Sequence, residues 1–188
     1  ARVRLAVMNM LAMKIPGSRW LDLCCGSGAM ACEALRRGAS EVVAVERDRR
    51  VAQIARANLQ LVAADLESAP ARSSLGRAPE IHIVRADVLR WLERGAAPKD
   101  GSIEWIGAFD LIYVDPPYRS GLYPQIADLV LRWGWLRSGG TMIWECSRRA
   151  MQETPPEWGL RDQRQYGDTA LMLLEPTAQP PRALPRRY

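Results

Sequence analysis

Histidine is almost missing from this 188-residue chain: His82 is the only one, and lysine is confined to Lys14 and Lys99. The four cysteines, Cys24, Cys25, Cys32 and Cys146, form no CxxC pair, and with a single histidine they supply no zinc-site spacing. They read as buried reduced thiols, and no metal site is expected. His82 lies in the strand-like "EIHIV" and reads as a packed or edge side chain, not as a catalytic base. The apolar runs are only strand-sized, so none could span a bilayer, and no signal-peptide pattern opens the chain. A soluble cytoplasmic protein with no membrane partner is expected.

What is present suits one core. A hydrophobic content of 48% over this length supports a single well-buried domain and leaves little for a second. Lys and Arg total 26 against 21 for Asp and Glu, giving +5, and nearly all of the positive charge is arginine. That balance is compatible with a nucleic-acid partner without requiring one. The chain starts inside a helical stretch at residues 1–14 with no capping residue, so an upstream segment is expected.

Hydrophobic periodicity then alternates in type. Strands are predicted at 19–25, 40–46, 80–87, 109–115 and 139–146, and helices at 26–38, 48–64, 88–94 and 123–136. Asp48 is the predicted N-cap of the second of these helices. Residues 68–79 and the stretch "AAPKDGS" read as loops. Two further strands, 159–167 and 169–175, meet at Gly167-Asp168 as an antiparallel hairpin, and a Pro/Arg-rich tail follows from 176 to 188. Alternating strands and helices specify a mostly parallel sheet with helices on both faces, here of seven strands. No internal repeat is visible.

Ligands of open α/β sheets bind beyond the carboxyl ends of the central strands. "LDLCCGSG", residues 21–28, lies at such an end, and Gly26 and Gly28 permit a tight turn with close ligand approach. The spacing Gly26-x-Gly28-x-x-Ala31 also fits a dinucleotide turn. Asp22 argues against pyrophosphate, because an acid there repels phosphate and attracts an amino group. Glu46, 20 residues after Gly26, is placed for ribose hydroxyls. Asp87 can receive an adenine amino group while also capping the helix after it. Amino, ribose and adenine groups without a phosphate are the inventory of S-adenosylmethionine.

The stretch "FDLIYVDPPYRSGLY", residues 109–123, ends a buried strand with Asp115-Pro116-Pro117-Tyr118. The prolines fix the turn, so the Asp115 carboxylate and the Pro116 carbonyl form a rigid pair of acceptors for the two N–H groups of a planar exocyclic amine. Tyr118 can stack on the attached base. The sulfonium is already reactive, so alignment and local electrostatics suffice and no strong base is needed. An amine methyltransferase on RNA or DNA follows most directly, and the turn would serve adenine N6 or another planar amine as well as guanine N2. A catalytically silent RNA-binding or assembly factor and, last, an NAD-dependent oxidoreductase are the competing readings.

Four segments, "RVRLAVMNML", "LDLCCGSGAMACEALRRGASEVVAVERD", "FDLIYVDPPYRSGLY" and "YGDTALMLLE", resemble the RsmD-type class I methyltransferases, which methylate a guanine N2 amine in 16S ribosomal RNA. The resemblance implies a Rossmann-like sheet of order 3-2-1-4-5-7-6 with the last strand antiparallel, and one methyltransferase domain over residues 1–175. It implies S-adenosylmethionine held by Asp22, Gly26, Gly28, Glu46 and Asp87, with Asp115, Pro116 and Tyr118 at the reacting amine. Pro117, Arg4 and Arg119 are the substrate-binding candidates. The partner implied is 16S ribosomal RNA or a small-subunit assembly intermediate, and the protein is expected to be a monomer. The basic N-terminal RNA-binding extension usual in the family is absent from this sequence.

Overall fold

The fold is taken from a computed structural model, which describes residues 2–68, 78–94, 109–117 and 121–178. In chain order the elements are α1 (Arg2–Met10), β1 (Arg19–Leu23), α2 (Ala29–Arg36), β2 (Glu41–Glu46), α3 (Arg49–Glu67), β3 (Glu80–Arg85), α4 (Val88–Glu93), β4 (Phe109–Val114), α5 (Leu122–Arg132), β5 (Leu136–Ser147), β6 (Trp158–Tyr166) and β7 (Thr169–Pro176). One seven-stranded sheet runs β3-β2-β1-β4-β5-β7-β6. The pairs from β3 through β5 are parallel, and β7 is antiparallel to both β5 and β6. This is the Rossmann-like methyltransferase topology that the resemblance implies.

Side-chain alternation divides the core into two layers. In β1, Leu21 and Leu23 face α4 and α5, whereas Trp20 faces α1, α2 and α3. In β4, Phe109, Ile112 and Val114 join the first layer, and Leu111 and Tyr113 the second. Strands buried on both faces read as near-continuous apolar runs, which is why "EVVAVE" and "FDLIYV" lack a polar face. α3 meets its layer through Ala52, Ala55, Leu59 and Val62, spaced three or four apart as one helical face requires.

Several boundaries move. The predicted helix at 123–136 ends at Arg132, and β5 begins at Leu136, ahead of the predicted residue 139. Trp135 explains the difference. It is buried, stacks on Trp91 with ring centroids 4.5 Å apart, and donates its indole N–H to the Leu92 carbonyl at 3.2 Å. A continued helix could not deliver that side chain to α4. α2 begins at Ala29, three residues later than predicted, because Gly28 is a left-handed cap residue with φ 78°. α1 stops at Met10 and α3 continues to Glu67.

The terminal hairpin forms as predicted, around Gly167-Asp168. Of the predicted tail, Pro176 completes β7 and the Thr177 N–H donates to the Glu157 carbonyl; residues 179–188 lie outside the described set. Most of the 68–79 loop and all of "AAPKDGS" also lie outside it. His82 sits near Glu41 and Glu80 on β2 and β3, 3.6 and 3.8 Å away, as an edge side chain of the sheet. No helix among the described residues is long and apolar enough to cross a membrane.

Asp48 caps α3 by accepting the Arg50 and Val51 N–H groups at 2.8 and 2.9 Å. Asp48→Ala leaves both donors without that acceptor, and urea denaturation should show a loss of about 1 kcal/mol.

Candidate active site

β1, β2, β3 and β4 end on one edge of the sheet, and their carboxyl ends surround a cleft of about 570 Å³. The loop after β1 lines it through Cys24 and Gly26. Cys24 adopts φ 61° and Gly26 φ 55°, so the chain turns sharply at once, at a cost of roughly 1–2 kcal/mol for the non-glycine residue. The turn stays joined to β2: the Cys25 N–H donates to the Val45 carbonyl at 3.0 Å, and the Gly26 N–H to Glu46 Oε2 at 3.1 Å. A β-carbon at Gly26 would project into open space, so the backbone there can be approached by a ligand.

Gly26, Glu46 and Asp87 line this cleft together with Asp115, Pro116 and Pro117. Glu46 holds the Gly26 N–H with one oxygen and the Asp48 N–H with the other, at 2.9 Å, which fixes its orientation on the cleft wall. Asp87 does both things read for it, lining the cleft and accepting the Arg90 N–H at 3.2 Å as the cap of α4. The cleft wall also includes Arg47 and Leu122, which no sequence signal singled out.

Two glycine-loop candidates lie deeper. Asp22 is buried beneath the loop, and its Oδ2 accepts the Ala31 N–H of α2 at 3.1 Å. Burial, and next the nearby Asp115 carboxylate, hold its pKa well above the ordinary range, against the opposing pull of the Ala31 N–H. Gly28 serves packing between α2 and α3, since a β-carbon there would meet that of Ala55 at 3.3 Å. Arg4 is half-buried on α1. Tyr118 and Arg119 lie outside the described residues.

The electrostatics centre on Asp115, whose backbone N–H reaches toward the Leu23 carbonyl at 3.4 Å and so ties the end of β4 to β1. The residue opens to solvent through the cleft mouth, while its protein side withdraws hydration. That partial burial, followed by the charge of Glu145, raises its pKa from 3.8 to about 7. Glu145, near the end of β5, was not singled out from the sequence. It accepts the Tyr113 hydroxyl, and its backbone carbonyl accepts the Tyr123 hydroxyl, so it is clamped from both faces of the sheet. The Tyr113 phenol is pushed far up by burial and then by Glu145. The only available signal was a lone acid at the end of an otherwise apolar strand.

The cysteines here are not nucleophiles. Burial first, and the Glu46 charge next, push the Cys24 thiol up to about 12, and burial pushes Cys25 up as well. Neither is a thiolate near neutral pH.

Three carboxylates therefore line one cleft with a single arginine, Arg47, among the lining residues. Such a wall repels a pyrophosphate and accepts hydrogen bonds from amino and hydroxyl groups, and it favours a cation. A positively charged, hydroxylated donor without phosphate fits it. A dinucleotide, with its pyrophosphate, fits it less well.

The family model described as "Conserved hypothetical protein 95" matches residues 1–175. The chain is similar to "Ribosomal RNA small subunit methyltransferase D" of Escherichia coli strain K12, 29% identical over 179 residues, covering 95% of this chain and 78% of that protein. The protein of the same name from Haemophilus influenzae is 26% identical over 174 residues, covering 93% and 80%. Among solved structures, yhhF from Escherichia coli, named as a candidate methyltransferase, superposes with a TM-score of 0.72 at 27% identity, covering 95% of this chain and 87% of that one.

Removing the charge behind Asp115 should let it ionise more easily. In Glu145→Gln the Asp115 carboxyl should titrate below its wild-type value of about 7, as followed by carboxyl-carbon NMR. A pKa that stays in place would show that Glu145 is not a source of the shift.

Proposed function

We propose one reaction for a chain that belongs to the "Conserved hypothetical protein 95" family and is an RsmD-type methyltransferase: transfer of a methyl group from S-adenosylmethionine to a guanine N2 amine in 16S ribosomal RNA. The observation that carries this reading is one cavity that holds both halves of the chemistry. Gly26, Glu46 and Asp87 line the same cleft as Asp115 and Pro116. The relatives' names supply ribosomal RNA as the substrate class, and the resemblance read from the motifs supplies guanine.

S-adenosylmethionine supplies, when bound, an electrophilic methyl group on a sulfonium centre. Glu46 is the residue for the ribose hydroxyls and Asp87 for the adenine amine, since each is an acceptor on the cleft wall. Asp22 contributes from below by holding the start of α2, and Gly28 by letting α2 and α3 close behind the loop. Crowded carboxylates also favour a cationic donor over its neutral product.

Asp115 and the Pro116 carbonyl hold the target amine. Two N–H groups directed at two fixed acceptors leave the nitrogen lone pair facing the cleft, so orientation replaces much of the entropic barrier. The base-paired edge of guanine must first be freed, at a cost of a few kcal/mol. Tyr118 would stack on that base, Pro117 would border it, and Arg4 and Arg119 would contact the RNA around it. Asp115 is also placed to take the proton that the amine sheds, and a carboxylate with a pKa of about 7 is suited to receive and release it. The reaction is cytoplasmic and needs one copy of the chain.

The test is transfer of labelled methyl to small-subunit particles or RNA from cells lacking this activity. Asp115→Ala should lower transfer at least about 100-fold while calorimetry shows S-adenosylhomocysteine binding intact. Unchanged transfer would refute the role given to Asp115. Only the ionised carboxylate accepts the amine, so wild-type transfer should fall as pH drops below about 7 and level off above it.

A further inference from the structure

The sheet order restricts how a large substrate can reach Asp115. β3, β2 and β1 lie on one side of β4, and the donor's residues Glu46 and Asp87 occupy that side of the cleft. On the other side come β5, β7 and β6. β5 is parallel to β4, so Ser147 ends it on the cleft edge. Thr169 of β7 lies opposite Ser147, and Tyr166 of β6 opposite Thr169, so the hairpin turn reaches the same edge. At a strand spacing of about 4.8 Å, the ridge lies roughly 15 Å or less to the side of β4, with Ser147 three residues beyond the Trp144 that pairs with Val114.

We infer that the ridge made by the turn Arg148–Ala150 and the β6–β7 hairpin grips the sugar–phosphate backbone beside the target base. This rests on the ribosomal RNA reading above. Arg148 and Arg149 are both exposed, in a 3-10 turn directly after β5. Their backbone is already fixed: the Arg148 N–H donates to the Asp168 carbonyl at 2.8 Å, and the Arg149 N–H to Ser147 Oγ at 3.3 Å. The only ion pair of either side chain among the described residues joins Arg149 to Asp168 at 3.9 Å, with side chains 87% and 88% exposed. A contact that long and that wet holds the guanidinium weakly, so a phosphate can replace the carboxylate. Arg164, two residues before the end of β6, adds a third exposed cation, paired to Asp162 at 3.1 Å.

The cleft itself cannot hold RNA phosphates, because its wall is acidic. Cations beside it, on a fixed backbone, supply the attraction without an ordering cost for the main chain. A rival basic face is formed by Arg49 and Arg50 in the first turn of α3, beyond β2. It lies on the donor side, where a strand would have to cross the donor's own residues to bring a base to Asp115.

The measurement is binding of a 16S ribosomal RNA transcript across a salt series, with S-adenosylhomocysteine affinity as the check on folding. Arg148→Ala/Arg149→Ala should weaken RNA binding about tenfold near 0.1 M salt and flatten the log–log salt slope by about 1.4, the share of two phosphate contacts on single-stranded RNA. Arg148→Glu/Arg149→Glu should weaken it further. Arg36→Ala/Arg37→Ala, the same charge change at the far end of α2, should have much less effect. Wild-type affinity and slope in the Arg148/Arg149 variants would overturn the assignment while leaving the RNA reading intact, as would a loss confined to Arg49→Ala/Arg50→Ala. A wild-type protein that binds no RNA would overturn both.

Discussion

Negative charge drawn partly out of water is the constraint around which the carboxyl edge of the sheet is organised. Asp22, Asp115 and Glu145 stand at or near the ends of β1, β4 and β5; after burial itself, Asp115 and Glu145 raise the cost of ionising Asp22, and Glu145 that of ionising Asp115. Parallel strands with both faces covered keep Asp22 buried and Glu145 only partly exposed, while Asp115 opens into the cleft. Their charge is met by specific partners: the Ala31 N–H for Asp22, the Tyr113 hydroxyl for Glu145, and the open cleft for Asp115. A site built in this way is short of positive charge until a ligand arrives. It therefore selects for a cation and for N–H donors, through desolvation that the fold has already imposed.

The rigid loops serve the same end. Glu46 would be a mobile strand-end acid if it were free, but its two oxygens are each held by a backbone N–H from a different loop. Its position is thus set by the main chain of both βα turns. Asp115 is tied to β1 through its own backbone, and the prolines that follow it restrict the turn further. Precision at the cleft depends on main-chain geometry, with the side chains as its outermost layer.

Much of this was legible in the sequence because the strongest signals were local. Apolar strand runs, the glycine loop and the acid-proline turn each specify backbone behaviour within a few residues, so the strand order and the lining roles of Gly26, Glu46, Asp87 and Asp115 could be anticipated. What escaped was set by contacts distant in sequence. Trp135 ends α5 early because Trp91, 44 positions before it, offers a stacking partner. Gly28 also meets Ala55 of α3 closely, a packing role that the loop sequence alone does not reveal. Asp22 also accepts an N–H from α2, a structural role that its strand-end position alone does not reveal. Glu145 shows its importance only once β4 and β5 pair and Tyr113 lies beside it. In each case the residue type was visible, but the partner was a product of tertiary structure.

An acidic cleft and a polyanionic substrate seem opposed, and the opposition explains the division of labour around this edge. If the cavity carried cations enough to attract RNA unaided, it would draw in the phosphate backbone and lose its preference for a neutral amine on a flat ring. An acidic cavity instead repels the backbone and admits only what has N–H groups to offer, which is one extruded base. Affinity must then come from outside the cavity, from the arginines that make up nearly all of the chain's basic residues. On the proposed reaction, attraction at the rim and repulsion at the centre would together bring the RNA close while keeping its phosphates out. Separating the two functions in space lets a chain of modest net charge, +5, bind a polyanion and still discriminate at the reacting atom.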